Sequence, residues 1–318
     1  MNILELFQNN NKTFIIAEVG KNFIDTESPQ SVHKYLENAK NLVLKAKESG
    51  ADAVKFQTHN VEDEILNVFF SSPHFSGKGS DRYSWVKRNT ISTPLSDFWK
   101  PLKAFCDDNN IIFLSTPMSR GAAMILSELD IQAWKIGSGD LLDFVLLDYI
   151  SDFSIPVILS AGMSTIEEIE KSLTFLKDRN VKVTLLHCVS KYPCPFEELN
   201  LNRIKEYHKI FKLPIGFSDH SLSNEGTYVA VSLGAKIIEK HFTLSRDNYG
   251  SDHKISQTPS EFKKMVSRIR QIECDKKEVK KILTSETAKK CLGNNNNAIN
   301  EEEVFRPIFR KSLVAAQD

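Results

Sequence analysis

Cysteine is scarce and scattered in this chain: Cys106, Cys188, Cys194, Cys274 and Cys291 are odd in number and include no CxxC pair. That argues against a disulfide framework of the secreted kind and fits a reducing compartment. No apolar run approaches the roughly 20 residues that a bilayer span requires; even LLDFVLLDYI is broken by Asp143 and Asp148. Net charge is missing too, with Lys plus Arg and Asp plus Glu both at 41, which gives no support for charge-driven binding to nucleic acid or an anionic membrane. The opening MNILELFQNNNK has no basic segment followed by an apolar one, so a cytoplasmic location is expected. What is present, 41% hydrophobic and 26% charged residues in 318, supports a full-sized globular core.

Between Phe14 and Thr243 a single unit recurs eight times: a short β-branched run ending in polar residues, then a helical segment. The runs are FIIAEVG, AVKFQTH, IIFLSTP, AWKIGSG, PVILSAG, VTLLHCV, PIGFSDH and AKIIEKHFT. Near-continuous apolar runs suit strands buried on both faces of a parallel sheet. Eight of them alternating with helices predict a (β/α)8 TIM barrel, with its active site at the C-terminal strand ends. Those ends carry Glu18, Lys55, Thr116, Lys135, Ser160, His187, Ser218 with His220, and Glu239 with His241.

Helix signals agree. Val32, Leu36, Ala39, Val43 and Ala46 recur at helical spacing before Gly50; Ser164 with Glu167, and Thr258 with Pro259 and Glu261, have capping-box spacing. Two connections, 60–110 and 244–257, are long enough to suggest functional loops. From Cys274 the composition turns charged and polar, with an Asn run at 294–297. Residues 1–273 are therefore read as the catalytic barrel and 274–318 as a linker.

Residues two apart on a strand share a face, so Lys55 with Gln57, Ser218 with His220, and Glu239 with His241 would point together into the barrel. Taken singly, each has a bland explanation. A strand-end Lys is more often a solvated side chain with a packed stem, and a barrel His is more often a hydrogen-bonded core residue. Eight strands ending this way together point to an enzyme, because such groups are costly to bury without purpose. His220 and His241, ending neighbouring strands, could share one divalent ion such as Mn, Fe, Co or Zn; two His alone are a weak metal signal. Lys55 and Lys135 with the hydroxyls of Thr116, Ser138, Ser160 and Ser218 form a donor set suited to a phosphate-bearing acid. Gly137 and Gly139 in KIGSG would let backbone N–H groups approach it, although the same stretch could be a plain strand-to-helix turn.

At these residues the sequence resembles the sialic acid synthase family, which condenses phosphoenolpyruvate with an N-acetylated amino sugar. The matching stretches are IIAEVGKN, GADAVKFQTH, FLSTP, KIGSGD, ILSAGM, LLHCVSKYPCP, GFSDHS, LGAKIIEKHFT and DNYGSDHKIS, in family order up to Ser256. FRKSLVAAQD resembles the family's junction with a small antifreeze-like C-terminal domain, so residues 274–318 would lead toward such a domain. The resemblance implies that Lys55, Thr116, Lys135, Ser138, Ser160, Ser190 and Ser218 hold phosphoenolpyruvate and that Gln57, Tyr192 and Asp252 face the sugar. It implies further that His220 and His241 bind a divalent metal, usually Mn2+, and that Glu18 and Asp140 are the carboxylates nearest the chemistry. A homodimer serving cell-surface polysaccharide biosynthesis is implied as well. The sequence departs from the family at Phe23 (usually His), Asp140 (usually Glu), Ser190 (often Asn) and Ser251 (usually Pro). The rivals are a synthase of 3-deoxy-keto-sugar phosphates on the same barrel and a non-catalytic barrel that binds an anionic sugar.

Overall fold

The computed structural model describes residues 12–67 and 82–293. Eight parallel strands form one sheet: β1 (Phe14–Gly20), β2 (Ala53–Thr58), β3 (Ile112–Pro117), β4 (Trp134–Ile136), β5 (Val157–Ser160), β6 (Val183–Cys188), β7 (Ile215–Asp219) and β8 (Ile237–His241). Their order is β3-β2-β1-β8-β7-β6-β5-β4, and β3 lies beside β4 without a hydrogen-bonded ladder. The expected TIM barrel is thus nearly closed, with one seam.

Side-chain alternation sorts each strand into two faces. Inside, Phe14, Ile16, Ala53, Leu114, Ala133, Ile158, Leu186 and Ile237 make one compact apolar layer. Outside, Ile15, Val54, Phe113, Trp134, Leu159, Leu185, Phe217 and Ile238 join the larger core shared with the helices. Gly216 fits the inner layer because there is no room for more. A Cβ there would lie 2.4 Å from Leu186 Cδ2 and 2.8 Å from the Ile237 carbonyl oxygen.

The helices that follow the strands are α1 (Val32–Glu48), α2 (Val61–Glu64), α3 (Arg82–Ser92), α4 (Lys100–Asp108), α5 (Arg120–Ser127), α6 (Phe144–Ser151), α7 (Ile166–Asp178), α8 (Asn202–Phe211), α9 (Glu225–Ser232) and α10 (Pro259–Cys274). In α1 Leu36, Ala39, Val43 and Ala46 are buried, as the spacing predicts, joined by Tyr35 and Leu42, while Val32 is half-buried, and Gly50 follows with φ +93°. The capping box of α10 uses Thr258 and Glu261, as expected. That of α7 uses Thr165 and Glu168, one residue beyond the Ser164–Glu167 pair, because Ser164 turns its hydroxyl to the Gly162 carbonyl instead.

Residues just after Cys274, read from sequence as linker, form α11 (Lys276–Leu283) and α12 (Glu286–Leu292). Ala288 and Cys291 of α12 are fully buried, and Leu201 N–H donates to the Cys291 carbonyl. A polar composition hid two short helices, of which α11 buries no residue fully and α12 only Ala288 and Cys291. The remainder of that segment, 294–318, with the expected junction to a further domain, lies outside the described residues. All five cysteines are free. No helix among the described residues is long and apolar enough to cross a membrane.

Candidate active site

Above the apolar inner layer, the next inward residues of the strands are Glu18, Lys55, Thr116, Lys135, Ser160, Cys188, Ser218 and Glu239, all buried. Pairing register places them: Glu18 lies opposite Lys55 on β2 and His241 on β8, and Ser218 lies opposite Glu239. Lys55 Nζ is 2.7 Å from Glu18 Oε2 and 3.6 Å from Glu239 Oε1, and it donates to Thr116 Oγ1 at 3.2 Å. Lys135 Nζ donates to Ser160 Oγ at 2.7 Å and stands 3.9 Å from Glu239 Oε2. Ser218 Oγ donates to Glu239 Oε1 at 3.0 Å.

Burial and charge set the protonation of this layer. Burial pushes the Glu18 carboxyl up, with Lys55 opposing. Burial acts on Glu239 in the same sense, but Lys135 and Lys55 outweigh it and hold the carboxyl down at about 2. Burial lowers Lys135 despite Glu239. On Lys55 burial is outweighed by Glu18 and Glu239, which keep the ammonium protonated. Two cations therefore share Glu239.

His220 and His241 come together, with ring centroids 5.7 Å apart. His220 Nδ1 lies 2.6 Å from the Val189 carbonyl oxygen, to which it donates, leaving Nε2 as the lone-pair nitrogen 3.5 Å from Ser218 Oγ. Burial, then the neighbouring His241, pushes His220 down to about 3, so the ring is neutral, the form that binds metal. His241 Nδ1 is buried with no hydrogen-bond partner. Tyr192 covers the pair, its ring 4.1 Å from that of His220 and 6.1 Å from that of His241. Among the described residues no group of three or more His, Cys, Asp or Glu side chains is placed to hold a metal ion.

The remaining expected residues fall around this centre. Ser138 and Asp140 sit on a 3-10 turn after β4; Ser138 Oγ is 2.9 Å from Ser190 Oγ. That hydroxyl pair closes over Gly162, where a Cβ would lie 2.7 Å from Ser190 Oγ and 2.8 Å from Cys188 Sγ. Asp140 is buried, with its Oδ2 beside Gly137. Gln57 Nε2 donates to Glu18 Oε1 at 3.1 Å, and Asp252, on the turn Asp252–Ile255, brings Oδ2 to the same spot above Gly20.

Three sequence-level readings change. His187 ends β6 but points outward: its Nε2 meets the Leu199 carbonyl at 2.7 Å, its ring stacks on Phe217, and burial pushes it down to about 4. Cys188 takes the inward place. Phe23, standing where His is usual, is buried against Phe98, Phe56 and Tyr35 in the outer core, away from the charged layer. Glu239, expected to share the inner face with His241 but assigned no role from the sequence, joins both lysines and Ser218.

A TIM barrel whose strand ends enclose two lysines, three hydroxyls, two carboxylates and a histidine pair is an enzyme barrel built for an anionic substrate. Comparison with known proteins agrees. The NeuB family model matches residues 42–281. An uncharacterized protein of Methanocaldococcus jannaschii is 40% identical over 262 residues, covering 82% of this chain and 71% of that protein. The N,N'-diacetyllegionaminic acid synthase of Campylobacter jejuni is 35% identical over 312 residues, covering 96% and 86%. Among solved structures, the N-acetylneuraminic acid synthetase of Leptospira borgpetersenii, in complex with citrate, superposes with a TM-score of 0.72 at 32% identity, covering 87% of each chain. The chain belongs to the NeuB family, and the resemblance to sialic acid synthases is borne out.

Proposed function

We propose that this protein condenses phosphoenolpyruvate with an N-acylated amino sugar, giving a sialic-acid-like nonulosonate and inorganic phosphate. The observation that supports it most is the shared contact of Lys55 and Lys135 with Glu239, ringed by Thr116, Ser160 and Ser218. These donors would take the phosphate and carboxylate of phosphoenolpyruvate, with Ser138 and Ser190 alongside. Gln57, Tyr192 and Asp252, at the rim, would take the sugar.

In the reaction, the enol carbon of phosphoenolpyruvate bonds to the sugar's aldehyde carbon, whose oxygen becomes a hydroxyl. Water adds to the phosphate-bearing carbon; the C–O bond to phosphate then breaks, leaving a ketone. Glu18, whose carboxyl burial pushes up and which accepts a hydrogen bond from Gln57, would exchange the water's proton, and Asp140 would be a further carboxyl of the site. Fixed ammonium donors stabilise charge developing on the phosphate.

His220 and His241 fit a divalent ion: one ring has a neutral Nε2, the other a buried nitrogen without a partner. With two protein ligands, water or sugar oxygens would complete the shell, and Mn2+ suits that mixture. When bound, such an ion would polarise the aldehyde.

Phosphate release from phosphoenolpyruvate, with Mn2+ and either N-acetylmannosamine or arabinose 5-phosphate, tests this reading. Release only with the acylamino sugar is expected; release only with arabinose 5-phosphate would make the chain a 3-deoxy-keto-sugar-phosphate synthase, and none with any sugar would leave a binding barrel.

A further inference from the structure

Lys21 follows the last residue of β1, where Gly20 has φ +55°, and this turn takes its side chain out of the strand's alternation. Lys55, Lys135 and Lys240 each spend their ammonium on hydrogen bonds. Lys21 does not: among the described residues its Nζ makes no hydrogen bond and no ion pair, although the side chain is half-buried. It lies instead 3.5 Å from the centroid of the Trp85 ring on α3. Trp85 is itself held, edge-on to His59 at 5.3 Å, and His59 is fixed by its 2.7 Å contact with the buried Glu64 carboxylate.

Two features aim this cation at the substrate. The Asp252 carboxylate is near enough to influence Lys21 electrostatically, yet the two are not in ion-pair contact. Gly20, just before Lys21, lies close under Glu18, Asp252 and Gln57: a Cβ there would meet Glu18 Oε1 at 3.2 Å, Asp252 Oδ2 at 3.4 Å and Gln57 Nε2 at 3.5 Å, so the turn that carries Lys21 borders the residues expected to face the sugar. A donor and an acceptor separated by a gap match an amide, which presents a carbonyl oxygen and an N–H.

Resting on the amino-sugar reading above, we propose that Lys21 is a specificity-determining residue that donates to the acyl carbonyl of the sugar's acylamino group, while Asp252 accepts the amide N–H and Trp85 positions the Lys21 ammonium. A site built to hydrogen-bond a substrate group discriminates strongly against an analogue lacking it, since its own polar groups are then left unpaired.

The test compares the full chain with Lys21→Met and Lys21→Arg, measuring KM for N-acetylmannosamine and for phosphoenolpyruvate. Inhibition by mannose, which has a hydroxyl in place of the acylamino group, is measured alongside. Lys21→Met is expected to raise the N-acetylmannosamine KM at least tenfold, with the phosphoenolpyruvate KM within twofold and the mannose Ki unchanged. Lys21→Arg should recover most of the loss. An unchanged sugar KM in Lys21→Met, or a mannose Ki that worsens in parallel, overturns the assignment. Equal loss of both substrates without rescue by arginine overturns it as well, by making the role structural. If the unaltered chain releases no phosphate with any acylamino sugar, the proposed function fails first and the assignment falls with it.

Discussion

Glu239 on β8 stands between Lys55 and Lys135, 3.6 and 3.9 Å from their ammonium groups, and takes a hydrogen bond from Ser218 on the strand beside it. Its carboxylate balances two buried cations, so the barrel interior is not left with uncompensated charge before an anion arrives. The same carboxylate would repel that anion once it is bound.

Glu239→Gln should therefore preserve the fold and bind phosphoenolpyruvate at least as tightly as the parent, because the repelling charge is gone, while kcat falls tenfold or more because the tighter ground-state binding is not matched in the transition state. Isothermal titration with phosphoenolpyruvate and steady-state phosphate release check the two halves separately. Weaker binding would mean that Glu239 serves the anion site chiefly by holding the lysines.

Lys55→Ala and Lys135→Ala should each weaken phosphoenolpyruvate by about 1.5–3 kcal/mol, the range for a hydrogen bond to a charged group, with a smaller effect on the sugar. Binding measured without sugar isolates the term. Lys55→Ala also leaves Glu18 buried without its 2.7 Å cation, so a stability loss is expected in that variant and not equally in Lys135→Ala.

Burial pushes the Lys21 ammonium down to about 8, with Asp252 opposing, Arg82 adding to the fall, and Glu64 and Glu18 opposing. Its proton is present below that pH and lost above it, so the sugar KM should climb between pH 7 and 9 while the phosphoenolpyruvate KM follows a different profile. Lys21→Arg, which stays charged, should flatten the climb.

Gly216→Ala places a methyl against Leu186 and the Ile237 backbone inside the barrel. Overpacking of a filled interior costs about 1–3 kcal/mol. A lower urea midpoint with an unchanged slope is the expected result; full parental stability would show that β7 can move aside.

The barrel and most of its charged layer were legible because the strand period is two and each run ends in polar residues. Lys55 and Gln57, Ser218 and His220, and Glu239 and His241 fall on the inner face as that period dictates. Alternation also should have moved His187 outward, since Cys188 and not His187 stands opposite Ser218; strand-end position alone was the wrong guide. Lys21 was not legible at all. The pairing register shifts between Glu18 and Gly20, and the left-handed glycine breaks the alternation before Lys21 is reached. The helices α11 and α12 were missed because lysine-rich, polar sequence resembles linker unless the packing partner is known.

On the outer face of the same two strands, Asp219 and Lys240 lie directly opposite each other, fully buried, 2.8 Å apart. Asp219 also takes the Thr227 hydroxyl of α9, and Lys240 donates to the Ser221 and Ser223 carbonyls. Asp219 is flanked in sequence by Ser218 and His220, and Lys240 by Glu239 and His241. A slip of one residue along either strand would bring an outward charge inside and turn a histidine out. The pair thus works as a registration key: it makes the correct alignment of β7 and β8 the only one that neutralises both charges. Sequence drift at Asp219 or Lys240 would therefore show first as lost alignment of the two imidazoles that follow them in the chain.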